Sequence, residues 1–177
     1  GVGRAFVSAG NAGGIMCNAL RTLRRIKGVQ RPALTAMFPT RTGHCVVLDI
    51  GANADCRPDF LVEFAVMGSI YAEKVLNRPS PRVGLLSNGE EPGKGNQLVK
   101  DAYHLLEEAG LNFLGNVEGK ELFGGQADVV VTDGFTGNIL LKSSESVAKM
   151  LTDVLKEELT ASLIRKMGAL LVMPAFG

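Results

Sequence analysis

The chain of 177 residues contains no tryptophan, two tyrosines and eight phenylalanines. Aliphatic side chains must therefore fill any core it builds. Its three cysteines, Cys17, Cys45 and Cys56, form an odd set without a CxxC spacing. That pattern predicts neither a disulfide framework nor a zinc site, and it suits a reducing, cytoplasmic compartment. The two histidines, His44 and His104, form no HExxH motif, and no N-x-[ST] acceptor occurs. The longest nearly uncharged apolar stretch, Met167 to Phe176, falls far short of the roughly 20 residues of a spanning helix. Gly1 to Ser8 reads as strand-like rather than as a secretory leader. Acidic residues are missing from one whole region. Gly1 to Leu48 holds no Asp or Glu but seven basic residues: Arg4, Arg21, Arg24, Arg25, Lys27, Arg31 and Arg41. The chain's formal charge of +1 thus divides into +7 here and −6 over the remaining 129 residues. Such a segment is either a solvated helix face or a docking surface for an acidic partner or anionic membrane.

Glycine is abundant instead, at 22 of 177 residues, against a usual share of about 7%. No G-X-Y period organises these glycines, so they belong to turns and close approaches. Apolar residues make up 46% and charged residues 21%, a globular composition. Hydrophobic spacing predicts strands at Ala5–Ala9, Ala33–Phe38, Cys45–Ile50, Arg82–Leu86, Asn112–Leu114 and Ala127–Thr132. Helices are expected from Ile15 to Ile26, from Pro58 to Val75, from Gln97 to Ala109 and from Gly137 to Leu159. In the last of these, Val147, Met150, Leu151, Val154 and Leu155 are expected to face the core. A tail from residue 160 to 177 mixes apolar residues with Arg165 and Lys166. The alternation predicts an α/β domain over 1–177, with a mostly parallel sheet and helices on both faces.

Ligands of open α/β sheets bind beyond the carboxyl ends of the strands. Each predicted end here carries a polar, glycine-rich loop: Ser8–Asn11, Asp49–Asn53, Ser87–Asn96, Gly115–Gly119 and Thr132–Asn138. Several lead into helices, whose N-termini offer free N–H groups and a positive dipole end to an anion. Ser8–Asn11 and Asp133–Asn138 are the best phosphate cradles on that ground, although Asn11 or Thr136 alone equally suits a helix cap. Gly89 to Lys94 is one residue short of a P-loop, and Gly95 stands where that motif needs Ser or Thr. Asp55, Cys56, Asp59 and Glu63 suit a solvated helix start better than a metal site.

Phe6–Asn11, Leu48–Asn53, Phe64–Lys74, Asn116–Gly119 and Asp133–Lys142 together resemble the PlsX-type phosphate acyltransferases, collinearly over essentially the whole chain. The resemblance implies transfer of a fatty acyl group from acyl carrier protein to inorganic phosphate. It implies a fold similar to the isocitrate/isopropylmalate dehydrogenases and phosphotransacetylases, a homodimer, and peripheral association with the membrane. The family usually has Thr-Gly where Ala12-Gly13 stands here, and Asn-Ile-Gly-Glu-Glu in place of Ser87-Asn88-Gly89-Glu90-Glu91. It also carries a further N-terminal portion with an Asp-Ala-Met-Gly-Gly-Asp motif and a C-terminal continuation, so the chain is expected to be incomplete at both ends.

The implied chemistry needs no metal, cofactor or catalytic triad, because phosphate is already a nucleophile and thiolate a good leaving group. Positioning and donors to the developing oxyanion suffice. Ser8, Gly10, Asn11, Gly134, Thr136, Gly137 and Asn138 are expected to hold phosphate. Asn53, Asn88 or Asn116 donates to the carbonyl oxygen, and Lys94 or Lys142 balances charge. Asp49, Glu118 and Asp133 orient these donors, and Arg21, Arg24, Arg25 and Lys27 dock the acidic carrier. Two alternatives stand beside this expectation. One is a phosphotransacetylase-like enzyme using acyl-CoA; the other is a non-catalytic scaffold binding carrier protein or membrane.

Overall fold

The computed structural model describes residues 7–172. Two compact units divide the chain, one ending at Asn138 and the other beginning at Ile139. The first unit holds a five-stranded sheet. Its strands are β1 (Thr35–Thr40), β2 (Gly43–Leu48), β3 (Val83–Leu86), β4 (Phe113–Val117) and β5 (Val129–Val131), in the order β1-β2-β5-β3-β4. β1 and β2 form an antiparallel hairpin closed by Arg41 and Thr42, while the β2–β5, β5–β3 and β3–β4 pairs are parallel. Pro39 fits β1 because that strand lies at the sheet's edge.

The helices are α1 (Ala12–Leu23), α2 (Pro58–Lys74), α3 (Gln97–Glu108), α4 (Gly119–Gly124), α5 (Gly134–Thr160) and α6 (Leu163–Val172). α2 and α3 cover one face of the sheet. Phe60, Leu61, Phe64 and Ala65 of α2 and Val99, Ala102 and Leu106 of α3 pack on Val46, Leu48, Val83, Leu85, Val129 and Val131. A Cβ at Gly68 would lie 2.5 Å from Val129 Cγ1 and 2.7 Å from Leu48 Cδ1, so glycine here sets how closely α2 approaches the sheet. Alternation along the strands sends Cys45, Val47 and Val130 to the opposite face, where they too are buried. α4 lies against β1, and Phe123 meets Phe38 edge to face at 6.0 Å between ring centroids.

Several boundaries differ from the sequence expectation. The strand expected at Ala5–Ala9 lies partly outside the described residues, and Val7–Ala9 has no regular structure. α1 ends at Leu23, before Gly28, because Arg24 turns the backbone to φ 63°. No residue of α1 is buried. α5 begins three residues early, at Gly134, because Asp133 caps it: its carboxylate accepts from Thr136 N at 2.8 Å and from Thr136 Oγ1 at 2.7 Å. Val147, Met150, Leu151, Val154 and Leu155 are more than half exposed rather than buried. In their unit the other helix, α6, leaves Leu163, Ile164, Met167, Leu170 and Leu171 exposed as well, so the two helices provide no closed layer over that face.

Candidate active site

Parallel pairing brings the loops after β2, β3, β4 and β5 to one edge of the sheet. Asp49 organises the first of them. Its buried carboxylate accepts from the N–H groups of Leu34, Gly51, Ala52 and Asn53 at 2.7–3.1 Å, and from Asn53 Nδ2 at 2.8 Å. A short acidic side chain placed where the chain leaves a strand satisfies a turn of this kind locally. Asn53 spends its second amide hydrogen on the Pro32 carbonyl, 2.8 Å away. Both of its donors are thus occupied within the protein.

The loop after β5 docks on this turn. Gly134 N donates to the Asn53 carbonyl at 2.8 Å, and a Cβ on Gly134 would lie 2.6 Å from that oxygen. A Cβ on Gly137 would collide with the Asp49 carbonyl. These two glycines let the start of α5 press against the backbone of residues 49–53. Their N–H groups are engaged, since Gly137 N donates to the Asp133 carbonyl. Thr136 N is occupied by the Asp133 cap. Asn138 is exposed beside Gly51 and makes no side-chain hydrogen bond among the described residues.

The loop after β3 closes on itself. Asn88 Oδ1 accepts from Gly95 N at 2.9 Å, which leaves the Asn88 amide hydrogens uncommitted among the described residues. Asn96 caps α3 through Val99 N at 3.0 Å, with its own amide likewise uncommitted. Lys94 makes no ion pair among the described residues. Asn116, on β4, is buried and donates to the Glu91 carbonyl at 2.8 Å, while its Oδ1 has no partner among the described residues. Glu118 forms a capping box with Glu121 and, with Glu90 and Glu121, surrounds Lys120. Hydrogen bonding to Glu90 raises the Lys120 pKa, with the other two carboxylates adding to the shift.

A cavity of about 400 Å³ opens where the loops after β2 and β5 meet the start of α3. Asp133 and Thr136 line it, together with Ala54, Asp55, Cys56, Asn96, Leu98 and Phe135. Of these, the sequence reading singles out Asp133 and Thr136 as site residues. The other six come from the loop after β2 (Ala54, Asp55 and Cys56), the start of α3 (Asn96 and Leu98) and the start of α5 (Phe135). Asn96 and Phe135 fall within polar loops that the sequence marks, and Asn96 also suits a helix cap; Ala54, Asp55, Cys56 and Leu98 carry no such signal. Cys56 is part of the wall, but burial, reinforced by Asp49, Asp133 and Asp55, pushes its thiol up to about 11 against a lowering backbone hydrogen bond from Gly134. At neutral pH it is a thiol and not a nucleophile. Among the described residues no three His, Cys, Asp or Glu side chains gather as a metal site.

The remaining expected residues lie apart from this cavity's lining. Ser8 Oγ accepts from Gly10 N at 3.1 Å, and Asn11 caps α1 through Gly14 N at 3.0 Å. Lys142 pairs with Glu145 at 2.9 Å in the second unit. Arg24, Arg25 and Lys27 line a separate basic cavity of about 500 Å³ that continues to Gln30, and Arg21 lies in the last turn of α1.

A family model described as fatty acid synthesis protein matches residues 2–177. A phosphate acyltransferase of Elusimicrobium minutum is 54% identical over 176 residues, which is 99% of this chain and 52% of the relative. One of Pelotomaculum thermopropionicum is 50% identical over 175 residues, 99% of this chain and 51% of the relative. The chain therefore spans about half the length of these curated relatives. Among solved structures, the EutD phosphotransacetylase from Staphylococcus aureus matches with a TM-score of 0.58 at 19% identity, over 74% of this chain and 46% of that one. That likeness is one of fold: a mostly parallel α/β sheet with its loops gathered at one edge.

Proposed function

The chain belongs to the fatty acid synthesis protein family, and on that premise we propose that it forms part of a phosphate acyltransferase. The reaction passes a fatty acyl group from acyl carrier protein to inorganic phosphate and yields acyl phosphate for phospholipid synthesis. A phosphate oxygen attacks the thioester carbonyl, the carbon–sulfur bond breaks, and the carrier leaves as its thiolate. The observation that carries this reading is the 54% identity, across 99% of the chain, to a protein of that name.

The distribution of hydrogen-bond donors supports a division of roles. Asn88, Lys94 and Asn138 keep donors for substrate, so they are assigned to the thioester oxygen and the phosphate. Asn53, Asp49, Asp133 and Glu118 spend their groups on the protein and position the loops, and Asn116 ties β4 to the loop after β3 through the Glu91 carbonyl. Gly134 and Gly137 fit the loops together, and Thr136 presents its side chain to the cavity. Ser8, Gly10 and Asn11 are assigned to phosphate at the N-terminal end of α1, and Lys142 to charge balance in the complete enzyme. Arg21, Arg24, Arg25 and Lys27 are the docking surface for the acidic carrier. The exposed apolar faces of α5 and α6 are assigned to dimerisation and membrane-surface contact; no described helix is long and apolar enough to cross a membrane.

Incubation with long-chain acyl carrier protein and phosphate, followed by hydroxylamine trapping, tests the reaction. Acyl hydroxamate is the expected product. Product from acyl-CoA alone would replace the carrier-dependent reading, and no product from either donor would leave a binding scaffold. Asn138→Ala is expected to lower kcat about a hundredfold, the typical cost of one oxyanion donor. Its melting temperature should match the parent, because the side chain bonds to no described residue. Unchanged turnover would remove Asn138 from the site.

A further inference from the structure

A third cavity, of about 530 Å³, opens between α1, residues 30–32 and the start of α2. Arg25, Arg31 and Arg57 supply its charge, and Leu20, Pro32 and Phe60 supply an apolar wall. The guanidinium of Arg57 lies 4.7 Å from the Phe60 ring centroid and that of Arg31 lies 5.9 Å from it. The three arginines are not equivalent. Arg57 is held by Asp59, at 2.6 Å and 3.1 Å, and by Gln30 Oε1 at 2.7 Å. Arg25 donates to the Gln30 carbonyl. Glu63 accepts from Gln30 N at 2.8 Å and so stands behind the cavity. Arg31 makes no ion pair or side-chain hydrogen bond among the described residues. Three guanidinium groups against two carboxylates leave a positive balance, with the uncommitted cation at an aromatic face.

We propose that this cavity binds the phosphate and adjoining pantoyl portion of a phosphopantetheine arm, with Arg31 as the principal phosphate ligand. The inference rests on the acyl-transfer reading above and adds where the thioester-bearing arm lies. A bare inorganic anion would use the arginines and leave the apolar wall idle. A pantetheine phosphate uses both, since its anion meets a planar donor fork and its gem-dimethyl group meets Phe60, Pro32 and Leu20. Position supports the same occupant. Arg57 of this cavity follows directly on Cys56, which lines the candidate active site, so their Cα atoms are about 3.8 Å apart. The Pro32 carbonyl is bonded by Asn53 of the active-site turn at 2.8 Å. On the other side, Arg25 and Gln30 are shared with the basic cavity of residues 24–30. The order is therefore docking segment, arm cavity, active-site cavity.

Calorimetric titration of the protein with 4′-phosphopantetheine and with pantetheine tests the assignment. The phosphorylated probe should bind at least tenfold tighter. Arg31→Glu should abolish that difference, and Arg31→Lys should restore part of it. Arg31 is exposed, so both variants should melt with the parent protein. Equal affinities for the two probes, no binding of either, or an Arg31→Glu protein that binds like the parent overturns the proposal. In turnover assays, Arg31→Glu should raise KM for acyl carrier protein if the arm is carrier-borne, or for acyl-CoA if it is free; an unchanged KM for both overturns it. Phosphate-dependent binding without acyl phosphate formation would overturn the reaction and leave the cavity's ligand standing. Turnover without such binding would do the reverse.

Discussion

Cys56 and Cys17 show how differently one residue type behaves in two settings. Cys17 is exposed on α1, whereas Cys56 is partly buried in the wall of the candidate site, with its thiol 3.4 Å from the Asn53 carbonyl. Burial, with three neighbouring carboxylates, holds Cys56 near 11. Alkylation with iodoacetamide at pH 8 should therefore label Cys17 well before Cys56, read by peptide mass spectrometry. Cys56→Ser should keep acyltransferase activity, because the proposed chemistry uses no enzyme nucleophile. Preferential labelling of Cys56 would mean an activated thiol and a covalent route.

At the scale of elements, the sheet is anchored at the end opposite the loops of the candidate site. Asp128, just before β5, accepts from Arg82 Nε at 2.9 Å, Arg82 N at 2.9 Å and Arg78 Nη1 at 2.8 Å. Burial raises the Asp128 pKa, but the hydrogen bonds and charge of Arg82 and Arg78 outweigh it and the net shift is downward. A carboxyl depressed on folding contributes stability that is fully present above its unfolded pKa of about 3.9 and is lost as pH falls through the folded value. Urea midpoints should therefore drop below about pH 4, and Asp128→Asn should flatten that part of the profile. A mutant profile parallel to the parent's would exclude Asp128 as the source. The contact of α2 with the sheet gives another test. Gly68→Ala should cost about 1–3 kcal/mol in urea unfolding, as overpacking usually does, because the new methyl meets Val129 and Leu48. A neutral result would show that α2 can shift outward freely.

These elements differ in how plainly the sequence announces them. The Val46–Leu48 and Val129–Val131 runs, and the helices opened by Pro58 and Asn96, follow from local periodicity and caps. α4 does not, because six residues are too few for a helical period; its signal is the pair Glu118 and Glu121, a capping box. The antiparallel course of β1 is likewise absent from apolar spacing, which is the same in either direction, although the two-residue Arg41-Thr42 link requires it. The polar loops are legible as a set. Their internal allocation is not, since Asn53, Asn88 and Asn116 look alike in sequence. Only the Pro32 and Glu91 carbonyls, 21 and 25 residues away, show that Asn53 and Asn116 are tied to the protein.

For the whole molecule, charge is sorted along the chain, with seven basic residues and no acid before Asp49. Within this segment Arg24 to Lys27 are exposed, and if they form the proposed docking surface, they attract an acidic carrier over a distance set by ionic strength. Reversing Arg24 and Arg25 to Glu should raise KM for acyl carrier protein, with the defect shrinking as salt rises from about 0.01 to 0.15 M. A salt-independent KM equal to the parent's would place the carrier elsewhere.

The opposite ends of the parallel strands also differ in what a substitution there can disturb. The Asp128–Arg78–Arg82 anchor secures one end, while the loops of the candidate site extend from the other. Amino-acid changes at sites that share no partner add nearly independently. Substitutions in those loops can thus alter the candidate site without drawing on the anchor that keeps the sheet folded.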